Sequence, residues 1–263
     1  MELALDLADR LEEESFGGSD DALALVDDLE KLASTLDGDR QFSSALAELG
    51  RVVVGMVCAA GRKGIDMGQG APPNPLDIAD EPDRPWLQCD KLATSIAPLA
   101  MAAYSQAGLM VRADEDGMVR RYPYIFRSKE KLYPSLALAA TLASMPEERQ
   151  SFLKQLKGMN STLPLLPMPP AEDFRLLRFS DIMDASPDSP GLKEGIQGKI
   201  LVVGVSAQGT EDMVRTPVHG PIPGVFVHAS AIVGLLAKAH IRNQGAHMVW
   251  AAMGGLLLLV LLF

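Results

Sequence analysis

Arg51-Val-Val-Val-Gly-Met-Val-Cys58 is an unbroken run of apolar, mostly β-branched residues, and Gly198-Lys-Ile-Leu-Val-Val-Gly-Val-Ser206 is a second of the same kind. Neither alternates between polar and apolar positions. Continuous apolarity over such a length predicts a strand covered on both faces, as in an α/β sheet. Around these strands the sequence reads as helices at 2–14, 20–36 (with an N-cap at Ser19 or Asp20), 40–49, 90–107, 133–143, from Pro146 to about 157, and 224–238. Gly50 stands where the helix 40–49 needs a C-cap, and Gly108 closes the Ala-rich segment before it. Strands alternating with helices predict an α/β fold: a mixed β-sheet flanked by helices on both faces, in three layers.

Between the two buried strands the chain carries a different signal. Leu109–Asp114 and Met118–Phe126 flank Glu115-Asp116-Gly117, and Asp-Gly between two such runs predicts a hairpin. Pro123 places the second arm near a sheet edge or a bulge. Arg175–Phe179 reads as a short strand, and Ser186–Gly191 as a turn leading to a brief helix. The stretches 61–89 and 160–171, rich in Gly and Pro, read as surface loops.

The chain has 263 residues, 48% of them hydrophobic, enough for a substantial core. Its 24 basic and 34 acidic residues give a net charge of −10. A nucleic-acid surface needs a basic stripe, and none is visible. The same balance argues against a body lying flat on anionic lipid. Two cysteines are too few for a disulfide framework. Cys58 ends an apolar run and reads as a buried thiol, Cys89 reads as part of a polar loop, and a single bridge between them is the alternative. The four histidines, at 219, 228, 240 and 247, lack the spacing of a metal site, so no metal and no cofactor is expected.

Met248 to Phe263 holds no charge and ends in Leu-Leu-Leu-Leu-Val-Leu-Leu-Phe. As a helix these residues would cover roughly 24 Å, against about 30 Å for a bilayer's hydrocarbon core. They predict an incomplete transmembrane helix at 246–263, with the bilayer as a partner of a water-compatible body over 1–245. The other reading is a buried C-terminal core helix. Met1-Glu-Leu-Ala-Leu-Asp-Leu is acidic where a signal peptide needs positive charge. Either the body stays in the cytosol or an upstream segment precedes it.

Three blocks stand in a telling order: Ala102–Pro123 with Tyr133-Pro-Ser-Leu-Ala-Leu soon after; Gly198–Gly209; and Asp212-Met-Val-Arg-Thr-Pro followed by Pro223-Gly-Val-Phe-Val-His-Ala. Followed by an apolar segment, they resemble the second type of CHASE domain over about residues 40–240. That family supplies the extracytoplasmic sensor of bacterial adenylate cyclases, histidine kinases and Ser/Thr kinases. The resemblance implies a non-enzymatic input domain in two-component and cyclase signalling. Its body would be periplasmic on the bacterial inner membrane, would bind an unidentified small molecule, and would act as a homodimer. Family members usually begin with a membrane helix and a strand carrying an Ile-Asp pair, and end with further membrane helices and an output domain. Those parts are missing from this sequence, which therefore reads as truncated at both ends, and the acidic segment 17–38 has no counterpart in the pattern.

Six residues are candidates for ligand binding or signalling. Arg120 and Arg121 should point to opposite faces of their strand. One of them should then meet the interior or a cleft, pairing with Asp114 or Asp212 or binding an anion. Asp212 and Thr216 lie in the loop after the second buried strand, where ligands bind in open α/β sheets. His228, early in an apolar helix, is read first as a hydrogen-bonding pin, then as a ligand contact or a pH sensor. Ser206 follows a buried strand and raises a hydrolase alternative with Asp212 and His219 or His228. The nucleophile elbow requires Gly-x-Ser-x-Gly, and here the second Gly comes one residue late.

Overall fold

The computed structural model describes residues 37–58, 75–78, 86–156, 162–164, 174–186, 189–206 and 212–237. The expected helices 2–14 and 20–36 and the apolar segment 248–263 lie outside these residues. Among the described residues no helix is long and apolar enough to cross a membrane.

Helix α1 (Gly38–Leu49) forms where the sequence placed it. Asp37 caps it by accepting the Arg40 N–H, and Gly50, at φ 68°, ends it in the left-handed conformation that favours glycine. The first buried run becomes strand β1 (Val53–Cys58). After it come β2 (Leu87–Gln88), β3 (Leu92–Ala93), α2 (Ala97–Ala102) and β4 (Ser105–Gly108). The single helix expected at 90–107 is therefore divided. Pro98 sits in the first turn of α2, and the residues after it leave the helix to pair in parallel with β1, Val53 opposite Ser105 through Met56 opposite Gly108.

Next come β5 (Arg121–Pro123), β6 (Ile125–Ser128) and β7 (Lys131–Pro134), then α3 (Leu136–Ser144) and α4 (Arg149–Leu156). The chain continues through β8 (Thr162–Pro164), α5 (Phe179–Asp184), α6 (Pro190–Ile196), the hairpin β9 (Met213–Thr216) and β10 (Gly220–Pro223), and α7 (Gly224–Leu236). The fold is a mixed α/β arrangement of small sheets and helices. One three-stranded sheet runs β3-β1-β4 and another β2-β6-β7, while β5 pairs with β8 and β9 with β10. A parallel bridge from Gly108 to Ser135 links β4 to the end of β7.

Several expectations are corrected. The turn at Asp116-Gly117 forms, with Gly117 at φ 79°, but its arms do not zip into a hairpin. The second arm instead pairs with β8 and, through the Val119 N–H, with the Arg215 carbonyl of β9. Arg175–Phe179 is not a strand; Phe179 opens α5. The run at 198–206 is extended but is neither paired nor fully buried. Cys58 and Cys89 are joined in a disulfide, their Cα atoms 5.6 Å apart, so neither is a free thiol. Cys89 is buried rather than looped out. The bridge ties the end of β1, in one three-stranded sheet, to the residue after β2, in the other.

The main core gathers Tyr122, Tyr124, Leu138, Leu142, Val227 and Ile232 with their neighbours, so that α3 and α7 pack on each other and on the strands. Ser135 caps α3 by accepting the Leu138 N–H, which fixes where this Ala- and Leu-rich helix leaves β7. A smaller cluster of Met56, Cys89, Phe126 and Tyr133 lies around the disulfide.

The bridge closes a sequence separation of 31 residues. Closing such a loop removes about 3–4 kcal/mol of chain entropy from the unfolded state. A Cys58→Ser, Cys89→Ser double variant is accordingly expected to unfold at lower urea concentration by about that free energy; an unchanged midpoint would rule the constraint out.

Candidate functional site

A cleft of about 580 Å³ opens where the N-terminus of α7 meets the ends of β1 and β2. Its walls are largely aliphatic, from Val57, Leu109, Leu136 and Val225, and its polar groups include Arg112, Asp212 and His228. Arg112 and Asp212 are exposed and form no ion pair among the described residues. Opposite charges thus stand unneutralised on an apolar slot, the usual composition of a small-molecule site.

Asp212 reaches the cleft because the β9–β10 hairpin returns the chain to the start of α7. The Gly224 N–H donates to the Asp212 carbonyl at 2.9 Å. A Cβ on Gly224 would meet the Asp212 carboxylate at 2.5 Å, so the side chain lies directly against the helix start. A carboxylate there is favoured by the helix dipole.

His228 is 8% exposed, and its Nδ1 lies 2.6 Å from the Tyr122 hydroxyl, which is itself fully buried. The phenol accepts the Ala137 N–H at 3.4 Å. Its own proton is then free to go to Nδ1, which leaves the neutral imidazole with its hydrogen on Nε2. Burial lowers the His228 pKa to about 4, against a smaller upward pull from Asp212. Burial likewise raises the Tyr122 phenol well above its ordinary value. Both groups are neutral at pH 7, as a shared buried hydrogen bond requires. His228 is thus a pin, joining α7 to β5 and to the first turn of α3, and it also borders the cleft.

The other candidates fall elsewhere. Arg120 lies just before β5 and holds Asp116 with both guanidinium nitrogens, at 2.8 and 2.6 Å, while also reaching Asp114 at 3.2 Å. Hydrogen bonds from the Arg120 side chain and the Met118 N–H lower the Asp116 pKa to about 2. Arg121 pairs with Asp114 at 3.7 Å. Both arginines are exposed, so the expectation that one meets the interior fails: strand alternation does not govern a residue outside the strand. They line an adjoining surface groove of about 1120 Å³ that shares Arg112, Leu87 and Gln88 with the cleft. Thr216 is buried but closes the β9–β10 turn, donating to the Gly220 carbonyl and accepting the His219 N–H. Ser206 is exposed and bonds to neither histidine of the described residues. Of the six candidates, the cleft holds Asp212 and His228.

Sequence reasoning missed Arg112 and Tyr122. Tyr122 carried one usable signal, an aromatic with a polar tip inside an apolar strand, which needs a partner once buried. Its partner is 106 positions away, beyond any local pattern.

The His228 shift makes stability depend on pH. The unfolded imidazole, near 6.5, binds a proton that the folded one refuses until about pH 4. The stabilisation is therefore complete above about 6.5 and lost as pH falls toward 4, by about 3 kcal/mol. Urea titrations across that range should show this slope in the native chain and little of it in His228→Gln. Tyr122→Phe should cost about 1–3 kcal/mol at pH 7 by stranding the imidazole.

The CHASE2 domain model matches residues 3–263, a wider span than the motif blocks alone cover. CHASE2 domains are extracellular sensory domains of signalling proteins. No curated protein and no solved structure matches the chain. With its model matched over nearly the whole sequence, the chain belongs to the CHASE2 domain family.

Proposed function

We propose that this chain is the sensory input unit of a membrane-bound bacterial signalling protein whose output is an adenylate cyclase, a histidine kinase or a Ser/Thr kinase. The signal is a small molecule bound in the cleft at the start of α7. One observation carries the reading: Val225 and His228, on the first turns of α7, form part of the cleft wall. A ligand there touches the helix that leads toward the carboxyl-terminal apolar segment. Binding biases that helix only to the extent that the ligand prefers one of its arrangements over another. The domain itself performs no chemistry. Among the described residues no Ser–His pair and no cluster of metal-ligating side chains supports any.

Two further observations favour a body outside the cytosol, held at the inner membrane by residues 248–263. Those residues are uninterruptedly apolar. The Cys58–Cys89 disulfide belongs to an oxidising compartment, since cytosolic thiols are kept reduced.

Topology tests the reading directly. An alkaline phosphatase reporter fused at Met1 within the full gene should be active, and the two cysteines of the membrane-inserted protein should resist alkylation until reduced. A reporter active only on the cytosolic side, with freely alkylated thiols, would sink the reading. In the cleft, Arg112→Ala and Asp212→Asn should each abolish the signalling response without changing the thermal midpoint of the unliganded protein.

A further inference from the structure

Residues 200–206 run extended along the surface, and their backbone groups make no hydrogen bond to any described residue. The run nevertheless has the two faces of a strand. Ile200 and Val202 pack against the core, and a Cβ on Gly204 would lie 2.8 Å from Val225, so these positions face inward. Leu201, Val203 and Val205 face outward and are 52%, 88% and 59% exposed. An unpaired edge carrying an apolar row is a template for another strand. The usual protections are missing: Ile200–Ser206 contains no Lys, no Pro and no acidic residue.

We propose that this edge is where two copies of the chain meet, pairing antiparallel about a two-fold axis that passes through Val203. The occupant follows from the symmetry of the run. A two-fold interface requires a surface complementary to itself. Centred on Val203, the pairing sets Leu201 against Val205 of the second copy, Val203 against its own counterpart, and Val202 against Gly204. Each outward pair joins β-branched or aliphatic side chains, which stabilise a cross-strand contact. No charge meets a like charge, because the nearest charged residue, Lys199, lies outside the paired segment. Sliding the register toward the N-terminus would put Lys199 against Val205, which disfavours that alternative. The edge also borders the cleft through Val202, Val203 and Gly204. The contact does not depend on the sensory reading, since it rests on the edge alone.

The register makes the test position-specific. Opposed residues of an antiparallel pair have Cα atoms about 4.5–5.5 Å apart, within reach of a disulfide. Both native cysteines are already bonded to each other, so an introduced thiol has no competitor. In the full 263-residue chain, purified in mild detergent, Val203→Cys should form a covalent dimer under mild oxidation. Leu201→Cys alone and Val205→Cys alone should not, whereas an equal mixture of those two should. Val203→Lys, which sets two ammonium groups against each other on the axis, should halve the sedimenting mass without lowering the thermal midpoint of the monomer. The proposal is overturned if Val203→Cys stays monomeric and reacts freely with maleimide, which would show a bare edge. It is equally overturned if that cysteine stays monomeric and unreactive, which would show the edge covered by another segment of the same chain, or if Val203→Lys sediments as the dimer.

Discussion

The 2.6 Å hydrogen bond between the Tyr122 hydroxyl and His228 Nδ1 is the constraint on which the arrangement around the cleft depends. Each of these groups is costly to bury alone, because a stranded phenol or imidazole loses its water contacts without replacement. Together they satisfy each other, and the Ala137 N–H completes the set. Three elements distant in sequence are fixed in one place by this pairing: β5, the first turn of α3 and the first turns of α7. The surrounding aliphatic side chains, Leu138 and Val227 among them, exclude water and so strengthen the bond. Any molecule seated beside His228 acts on a group that already determines where α7 begins.

The small sheets are held together by a few specific devices rather than by one long hydrogen-bonded ladder. The disulfide from Cys58 to Cys89 fastens the two three-stranded sheets at one end. The bridge from Gly108 to Ser135 joins them again beside the α3 cap. Gly108 is required at that bridge because the Phe126 ring lies against its Cα and leaves no room for a side chain. Close contact between the two sheets therefore depends on one missing Cβ and one covalent bond, with Met56, Phe126 and Tyr133 packed between.

Electrostatics divides the surface near the cleft into two regimes. In the groove on one side, Arg120 and Arg121 spend their charge on Asp114 and Asp116, an exposed network worth little to stability. In the cleft itself Arg112 and Asp212 remain available, one on each side of aliphatic walls. Paired charges orient a loop; unpaired ones can recognise a ligand.

The sequence by itself determined the elements whose signals are local. Helix α1 with its Asp37 and Gly50 caps, the β-branched strand β1, the turn at Gly117 and the apolar helix α7 all follow from side-chain chemistry within a few residues. The order of the motif blocks likewise fixed the family. Elements without such signals stayed hidden. The β6–β7 hairpin turns on Lys129 at φ 55°, with no Gly or Asn to announce it, and Ala-rich 105–108 became a strand only because β1 offered it a parallel partner. Only the tertiary structure decided which candidates share a site. Asp212 and His228 meet because a hairpin folds back on a helix start, Thr216 is spent inside that hairpin, and Arg120 is claimed by a neighbouring turn. Hydrogen bonds and burial across more than a hundred positions depend on how elements pack in space, and a linear pattern of side chains carries no record of those distances.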